Sequence, residues 1–209
     1  MRAVQSLKIA AIGLAAAVVL LQTQAYAASK DVIQALVPSC FASPPKPPPI
    51  AFKEVPMIAD NIDLAALPFT IATYLSGPDK FDVALVSERI SEMRDVMTKA
   101  AAQGDASLYF GAEGQYLFVT KIPFPDIEIF RCYLWTNQTF EGSLNEIFSP
   151  FTAVDTPFAQ IVKMATWHLM NPELIFERQA IEIFRMTDRA PATWPRTIVT
   201  MSSSFEVKE

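Results

Sequence analysis

The sequence predicts an α+β fold, a single domain in which a mainly antiparallel sheet is packed by two or three helices. Two observations lead to this prediction. Short runs rich in β-branched and aromatic residues, at 107–110, 116–122 and 127–135, follow one another with turn residues between them. Over 88–103, apolar residues recur at the three- and four-residue spacing of an amphipathic helix.

The helix over 88–103 has the clearest end signals in the chain. Ser87 can cap its start, and Gly104 can stop it. The run at 69–75 is rich in β-branched and aromatic residues and predicts a strand, which forms a hairpin with an alternating strand at 81–86. A helix over 62–75 is the alternative, although Pro68 would lie in its interior.

The second half of the chain predicts a loop at 136–155, a helix from Thr156-Pro157 to Leu169, and strands at 174–186 and 197–207. The resulting order of elements is similar to that of profilin-like and PAS-like sensor folds, with a curved NTF2-like sheet as the near alternative. This resemblance lies in element order alone and implies no function.

The N-terminal residues 1–27 are typical of a secretory signal peptide. Two basic residues, Arg2 and Lys8, precede an apolar run over 9–21, and a small-x-small cleavage site follows at 25–27. The apolar run is shorter than the roughly 20 residues of a membrane span. We therefore expect a periplasmic or secreted protein with no stable membrane insertion after signal cleavage; an uncleaved anchor is the alternative.

Charge and composition exclude several classes of partner. Removing Arg2 and Lys8 with the signal peptide lowers the Lys+Arg count from 17 to 15 against 22 Asp+Glu, a net charge of −7. An acidic domain of this kind disfavours nucleic acid and anionic lipid. One histidine and two distant cysteines predict no metal site, and only 6 glycines leave little room for a phosphate-binding loop. We expect no cofactor.

The only two cysteines, Cys40 and Cys132, are expected to form a disulfide in an oxidising compartment; two buried thiols are the alternative. Residues 28–51 precede the predicted α+β domain at 52–209. They predict a short helix at 30–37 ended by Pro38, and then a stiff Pro-rich strap at 43–49. The strap either lays the N-terminal segment along the domain or docks into a partner's aromatic groove.

No catalytic motif is present, and the candidate site residues are few. His168, the single histidine, is a weak candidate for a general base, and the chain has no Gly-x-Ser-x-Gly motif around a nucleophile. Trp167 lies opposite the apolar stripe of the predicted 157–169 helix, which suggests a ligand or partner contact. Tyr116, Phe118 and Trp135, on neighbouring strands, belong either to the core or to an apolar ligand cavity.

These observations favour an exported, non-catalytic binding or accessory protein of the bacterial envelope, which binds a small apolar ligand or an envelope protein. A periplasmic hydrolase that uses His168 is one alternative. A structural component of an envelope assembly, anchored through the Pro-rich segment, is the other.

Overall fold

The computed structural model describes residues 32–33, 35–41, 48–49, 51–75, 83–123, 125, 127–138, 152–166 and 178–206. The predicted signal peptide, most of the Pro-rich segment, Trp167 and His168 lie outside the described residues. No helix in the described part of the chain is long and apolar enough to cross a membrane.

The described residues form three helices and one eight-stranded antiparallel sheet, which confirms the predicted α+β class. The helices are α1 (residues 32, 33 and 35–40), α2 (Ala59–Leu75) and α3 (Val83–Gln103). The strands are β1 (Lys53–Val55), β2 (Ala106–Phe110), β3 (Tyr116–Pro123), β4 (Ile127–Thr136), β5 (Thr152–Asp155), β6 (Ala159–Thr166), β7 (Arg178–Met186) and β8 (Thr197–Glu206).

The sheet consists of two four-stranded meanders joined edge to edge. Its strand order is β1-β2-β3-β4-β8-β7-β6-β5, so the first meander meets the second where β4 pairs with β8. That pairing extends along all ten residues of both strands, from Ile127 opposite Glu206 to Thr136 opposite Thr197. The joint therefore lies at the centre of the sheet, where both faces of the strands can be covered.

The two faces of the sheet carry separate apolar cores. Successive residues of a strand point to opposite faces, so Cys132 and Leu134 of β4 face one way and Tyr133 and Trp135 the other. Helices α2 and α3 cover the Tyr133 face, which we call the hairpin face. The N-terminal segment with α1 covers the Cys132 face, which we call the α1 face.

On the α1 face, α1 is attached to the middle of the sheet by the predicted disulfide. Cys40 and Cys132 are bonded, with their Cα atoms 5.9 Å apart, and both are buried. Contrary to the prediction, the helix does not end before Pro38 but continues to residue 40. The Phe41 N–H donates to the Val37 carbonyl at 3.1 Å, and both Cys40 and Phe41 are buried on the sheet. Burial here outweighs the local preference of proline.

The prediction of a strand at 69–75 is wrong, and the alternative of a helix is correct. Helix α2 contains Pro68 and places buried residues at helical spacing, namely Ile62, Ala65, Ala66, Phe69 and Ala72. Its threonines satisfy their hydroxyls within the helix: Thr70 donates to the Ala66 carbonyl at 2.6 Å and Thr73 to the Phe69 carbonyl at 2.8 Å. Packing of this face overrides the β-propensity of the run.

Three further elements differ from the sequence prediction. Residues 83–86, expected in a strand, belong to α3, which then ends at Gly104 as predicted. The predicted helix over 157–169 is strand β6 where it is described, and its predicted start is a tight turn. In that turn the Thr156 hydroxyl accepts from the Ala159 N–H and donates to the Ala159 carbonyl, both at 2.9 Å. Strand β5 lies within the predicted loop at 136–155.

Candidate functional site

The predicted contact residues Tyr116 and Trp135 belong to a row of three aromatic rings on the hairpin face. Their rings stack with centroids 5.3 Å apart and an interplanar angle of 11°. Phe110 lies against Tyr116 at 5.1 Å and is 43% exposed, whereas Trp135 is only 5% exposed. The row therefore runs from the surface on β2 into the core on β4, and Trp135 serves mainly to fill that core.

Phe118, the third predicted contact residue among those described, lies at the centre of an aromatic cluster. Its ring meets the Phe69 ring edge-on at 5.8 Å, and Phe69 in turn contacts the Tyr133 ring at 4.8 Å. Phe69 comes from α2, while the other two rings come from β3 and β4. This cluster fixes α2 on the sheet and separates two cavities, one on each side of it.

The first cavity is an apolar cleft of about 240 Å³ between the C-terminal half of α3 and the end of β3. Most of its lining is apolar: Phe69, Val96, Met97, Ala100, Phe118, Ile122 and Pro123. Phe118 is 1% exposed, so it lies at the floor of the cleft rather than at its mouth. Lys99, Gln103, Asp105, Thr120 and Lys121 supply the polar part of the lining.

The charge beside the apolar cleft is partly neutralised on the protein itself. The Lys121 ammonium lies 2.5 Å from a carboxylate oxygen of Glu128. The side-chain hydrogen bond between these two groups raises the pKa of Lys121. The Lys121 N–H donates to the Asp105 carbonyl at 2.7 Å and so holds the edge of the cleft together. The cleft thus combines an apolar floor with a polar rim, an arrangement common in small-ligand sites.

The second cavity, which we call the Arg131 cavity, has a volume of about 290 Å³ and a polar lining. It lies under the C-terminal part of α2, over β4, β8 and β7. Its lining residues are Ala72, Thr73, Arg131, Tyr133, Glu182, Thr200 and Ser202. The strand register brings these side chains together, because Arg131 is opposite Ser202, and Thr200 is opposite both Tyr133 and Glu182.

Tyr133 is a buried titratable group of the Arg131 cavity. Burial raises the pKa of its hydroxyl, and the Arg131 guanidinium beside it opposes that shift through its charge and a side-chain hydrogen bond. A hydrogen bond with Thr73 also lowers this pKa, and the Glu182 carboxylate raises it. Because burial dominates, the phenol remains neutral and can act as a hydrogen-bond donor.

An ion pair borders the same cavity across two strands. The Lys163 ammonium of β6 lies 2.9 Å from a carboxylate oxygen of Glu182 on β7, and the two residues are directly opposite each other in the register. Both side chains are about one-quarter to one-third exposed. No group of three or more potential metal ligands occurs among the residues that the structure describes.

Of the contact residues predicted from the sequence, Phe118 lines the apolar cleft, and no sequence pattern indicated the Arg131 cavity. Arg131 and Glu182 give no signal beyond their alternation in amphipathic strands, and Ala100 and Met97 read as ordinary helix residues. The helical face assigned to Trp167 depended on a helix that is a strand over the described residues 159–166, so that argument no longer applies. The proposed contact of Trp167 and the role of His168 remain outside the described residues.

Comparisons of this chain with protein-family models, with curated proteins and with solved structures found no match.

Proposed function

We propose that this protein is an exported, non-catalytic binding protein of the bacterial envelope that takes a small apolar ligand in the apolar cleft. The observation that carries the proposal is the cleft itself, a preformed volume of about 240 Å³ with an aromatic and aliphatic floor. The fitting ligand is therefore a compact one, at or below the small end of drug-sized molecules.

Two structural features support binding at this position. The floor residues Phe118 and Met97 are each 1% exposed, so they belong to the rigid core. A ligand that enters the cleft needs little reorganisation of such a floor, and a preorganised pocket loses less free energy on binding. Methionine and phenylalanine also offer polarizable contacts suited to an apolar or aromatic guest.

Export rests on separate support. The Cys40–Cys132 disulfide is typical of proteins of oxidising compartments. The signal-peptide pattern over 1–27 also indicates export. N-terminal sequencing of the protein from a periplasmic fraction should give a chain that begins near Ala28. A mature chain that retains Met1 would contradict export by cleavage.

The binding proposal is tested by filling the cleft. Ala100 lines it, whereas Ala102 lies on the same helix, is exposed and does not. We expect the wild-type protein and Ala102→Trp to enhance the fluorescence of 1-aminoanthracene, a neutral apolar probe, with saturation at one probe per chain. Ala100→Trp should abolish this signal, because the indole would occupy the cleft.

A protein partner in place of a small ligand is the alternative outcome. If native mass spectrometry of the gently purified wild-type protein shows a stoichiometric protein complex, and the probe binds Ala100→Trp and wild type equally, the small-ligand proposal is wrong. A co-purified small molecule that is lost in Ala100→Trp but kept in Ala102→Trp would support it.

A further inference from the structure

The Arg131 cavity differs from the apolar cleft in carrying an unbalanced charge. Glu182 is neutralised by Lys163 at 2.9 Å. Among the described residues, by contrast, no carboxylate lies within 4.0 Å of the Arg131 guanidinium. A guanidinium is always charged at physiological pH. Arg131, Glu182 and the Lys163 that pairs with it from the border of the cavity together carry one net positive charge, which a single anionic charge would balance.

We propose that the Arg131 cavity binds a small organic monocarboxylate, with the carboxylate held by Arg131 and by the hydroxyls that surround it. The guanidinium presents a planar fork of donors that matches the two oxygens of a carboxylate. This inference goes beyond the proposed function, because it concerns a different cavity on the other side of the Phe69 cluster and does not require an occupied cleft.

Several hydroxyl-bearing residues line the cavity around the Arg131 guanidinium. Tyr133 is 2% exposed, and its hydroxyl interacts with the Arg131 guanidinium. Ser202 lies directly opposite Arg131, and Thr200 directly opposite Tyr133, so each hydroxyl-bearing residue of β8 is at the level of its partner on β4. Several neutral donors around one guanidinium stabilise an anion without adding further charge.

Size and charge together favour a monocarboxylate over a phosphate. The volume of about 290 Å³ is at the small end of the range for ligand pockets. A short-chain acid fits this volume with its alkyl group against Ala72, the apolar residue of the lining. A phosphate dianion would leave one negative charge uncompensated beside the Glu182 carboxylate, and such a charge is costly in a partly buried site.

The test uses propionate, with sodium chloride at the same ionic strength as the reference and inorganic phosphate as the competitor. NMR chemical shifts of the Arg131 side-chain Nε–H report binding to the full mature chain. We expect saturable binding of propionate to the wild-type protein. Arg131→Gln should weaken it at least tenfold, and Arg131→Lys should weaken it less, because lysine keeps the charge but loses the fork. For the Arg131 variants, the Thr200 amide resonance replaces the lost guanidinium signal.

Two further variants separate recognition from structure. Arg94→Gln removes an exposed arginine from α3, where it pairs with Asp63, and should leave propionate binding unchanged. Glu182→Gln removes the carboxylate from the cavity lining and should strengthen propionate binding several-fold. Ser202→Ala removes one donor and should weaken binding a few-fold while the cavity keeps its charge.

Three results would overturn the proposal. One is a wild-type protein whose resonances respond no differently to propionate and to chloride. The second is equal propionate affinity in wild type and in a folded Arg131→Lys or Ser202→Ala variant. The third is tighter binding of phosphate than of propionate. If 1-aminoanthracene failed to bind the apolar cleft, propionate binding in the Arg131 cavity would be unaffected. The two proposals can therefore be refuted independently of each other.

Discussion

The two faces of the sheet are closed in different ways. The hairpin face is covered by α2 and α3, two long helices that lie between β1 and β2 in the chain and pack against the sheet over many apolar side chains. The α1 face is covered by a segment of about two helical turns, which reaches the sheet from the N-terminal side of a Pro-rich stretch and is bonded to β4 through Cys40.

The two faces therefore differ in what stabilises them and in where their cavities lie. A helix as short as α1 has little stability of its own, so the covalent bond at the sheet centre holds it in place. The core of the α1 face contains apolar residues, and the Ser203 hydroxyl donates to the Cys40 carbonyl at 3.2 Å within it. Both proposed binding cavities lie on the hairpin face, where the helices are held by packing and not by a disulfide.

The largest expected effect comes from breaking the disulfide. The Cys40→Ala, Cys132→Ala double variant should lose about 4–5 kcal/mol of unfolding free energy on the chain-entropy account, since the bond closes a loop of 92 residues. Urea denaturation of this variant and of the oxidised wild type measures the loss. The reduced wild type should have the same free energy of unfolding as the variant. A difference below about 1 kcal/mol between the oxidised wild type and the variant would mean that α1 packs on the sheet without its disulfide.

Phe69→Ala should have the next largest effect, on the hairpin face. It removes a ring that is 7% exposed and contacts both Phe118 and Tyr133. A loss of about 3–5 kcal/mol is expected from such a truncation. Leu64→Ala on the exposed side of the same helix, where Leu64 is 41% exposed, is the matched control and should change the free energy of unfolding far less.

A smaller effect is expected at Gly111, where the backbone approaches Phe52 of the α1-face core. A Cβ at position 111 would lie 2.7 Å from the Phe52 ring, although the backbone there suits any residue. Gly111→Ala should therefore cost about 1–3 kcal/mol through overpacking. Adding Phe52→Leu should recover part of this loss in a double-mutant cycle. Strict additivity of the two changes would show that the clash is not the cause.

The smallest effect is expected between the two helices of the hairpin face. The Arg94 guanidinium lies 2.6 Å from a carboxylate oxygen of Asp63, and both side chains are about half exposed. Water and salt screen such a pair, so Arg94→Ala should cost at most about 1 kcal/mol. Raising the salt concentration should shrink this difference between the variant and the wild type. A loss above about 2 kcal/mol would mean that the pair organises the hairpin.

Local signals made several elements predictable. Strands β2, β3, β4 and β8 and the end of α3 at Gly104 follow from alternation, turn residues and a glycine with a positive φ of 76°. The strand at 174–186 is correct over β7. The Cys40–Cys132 bond was predictable because the chain has only two cysteines.

The wrongly predicted segments have apolar residues whose spacing fits both a helix and a strand. Over 159–166 the run has buried residues at both Ile161 and Val162, because β6 is covered on both faces, and this pattern mimics a helical stripe. Over 69–75 the β-branched residues outweighed the helical spacing that begins at Ile62. In both places tertiary packing, rather than local preference, selected the conformation.

The sequence by itself determined the α+β class, the identity of the disulfide partners and the acidic charge of the chain, because each depends on composition or on short-range pattern. Only the tertiary structure decided that β4 pairs with β8 and that α1 and the α2–α3 hairpin take opposite faces. The cavities are consequences of those pairings. Arg131, Tyr133, Thr200 and Ser202 are up to 71 positions apart in the chain, and only the β4–β8 register brings them into one site.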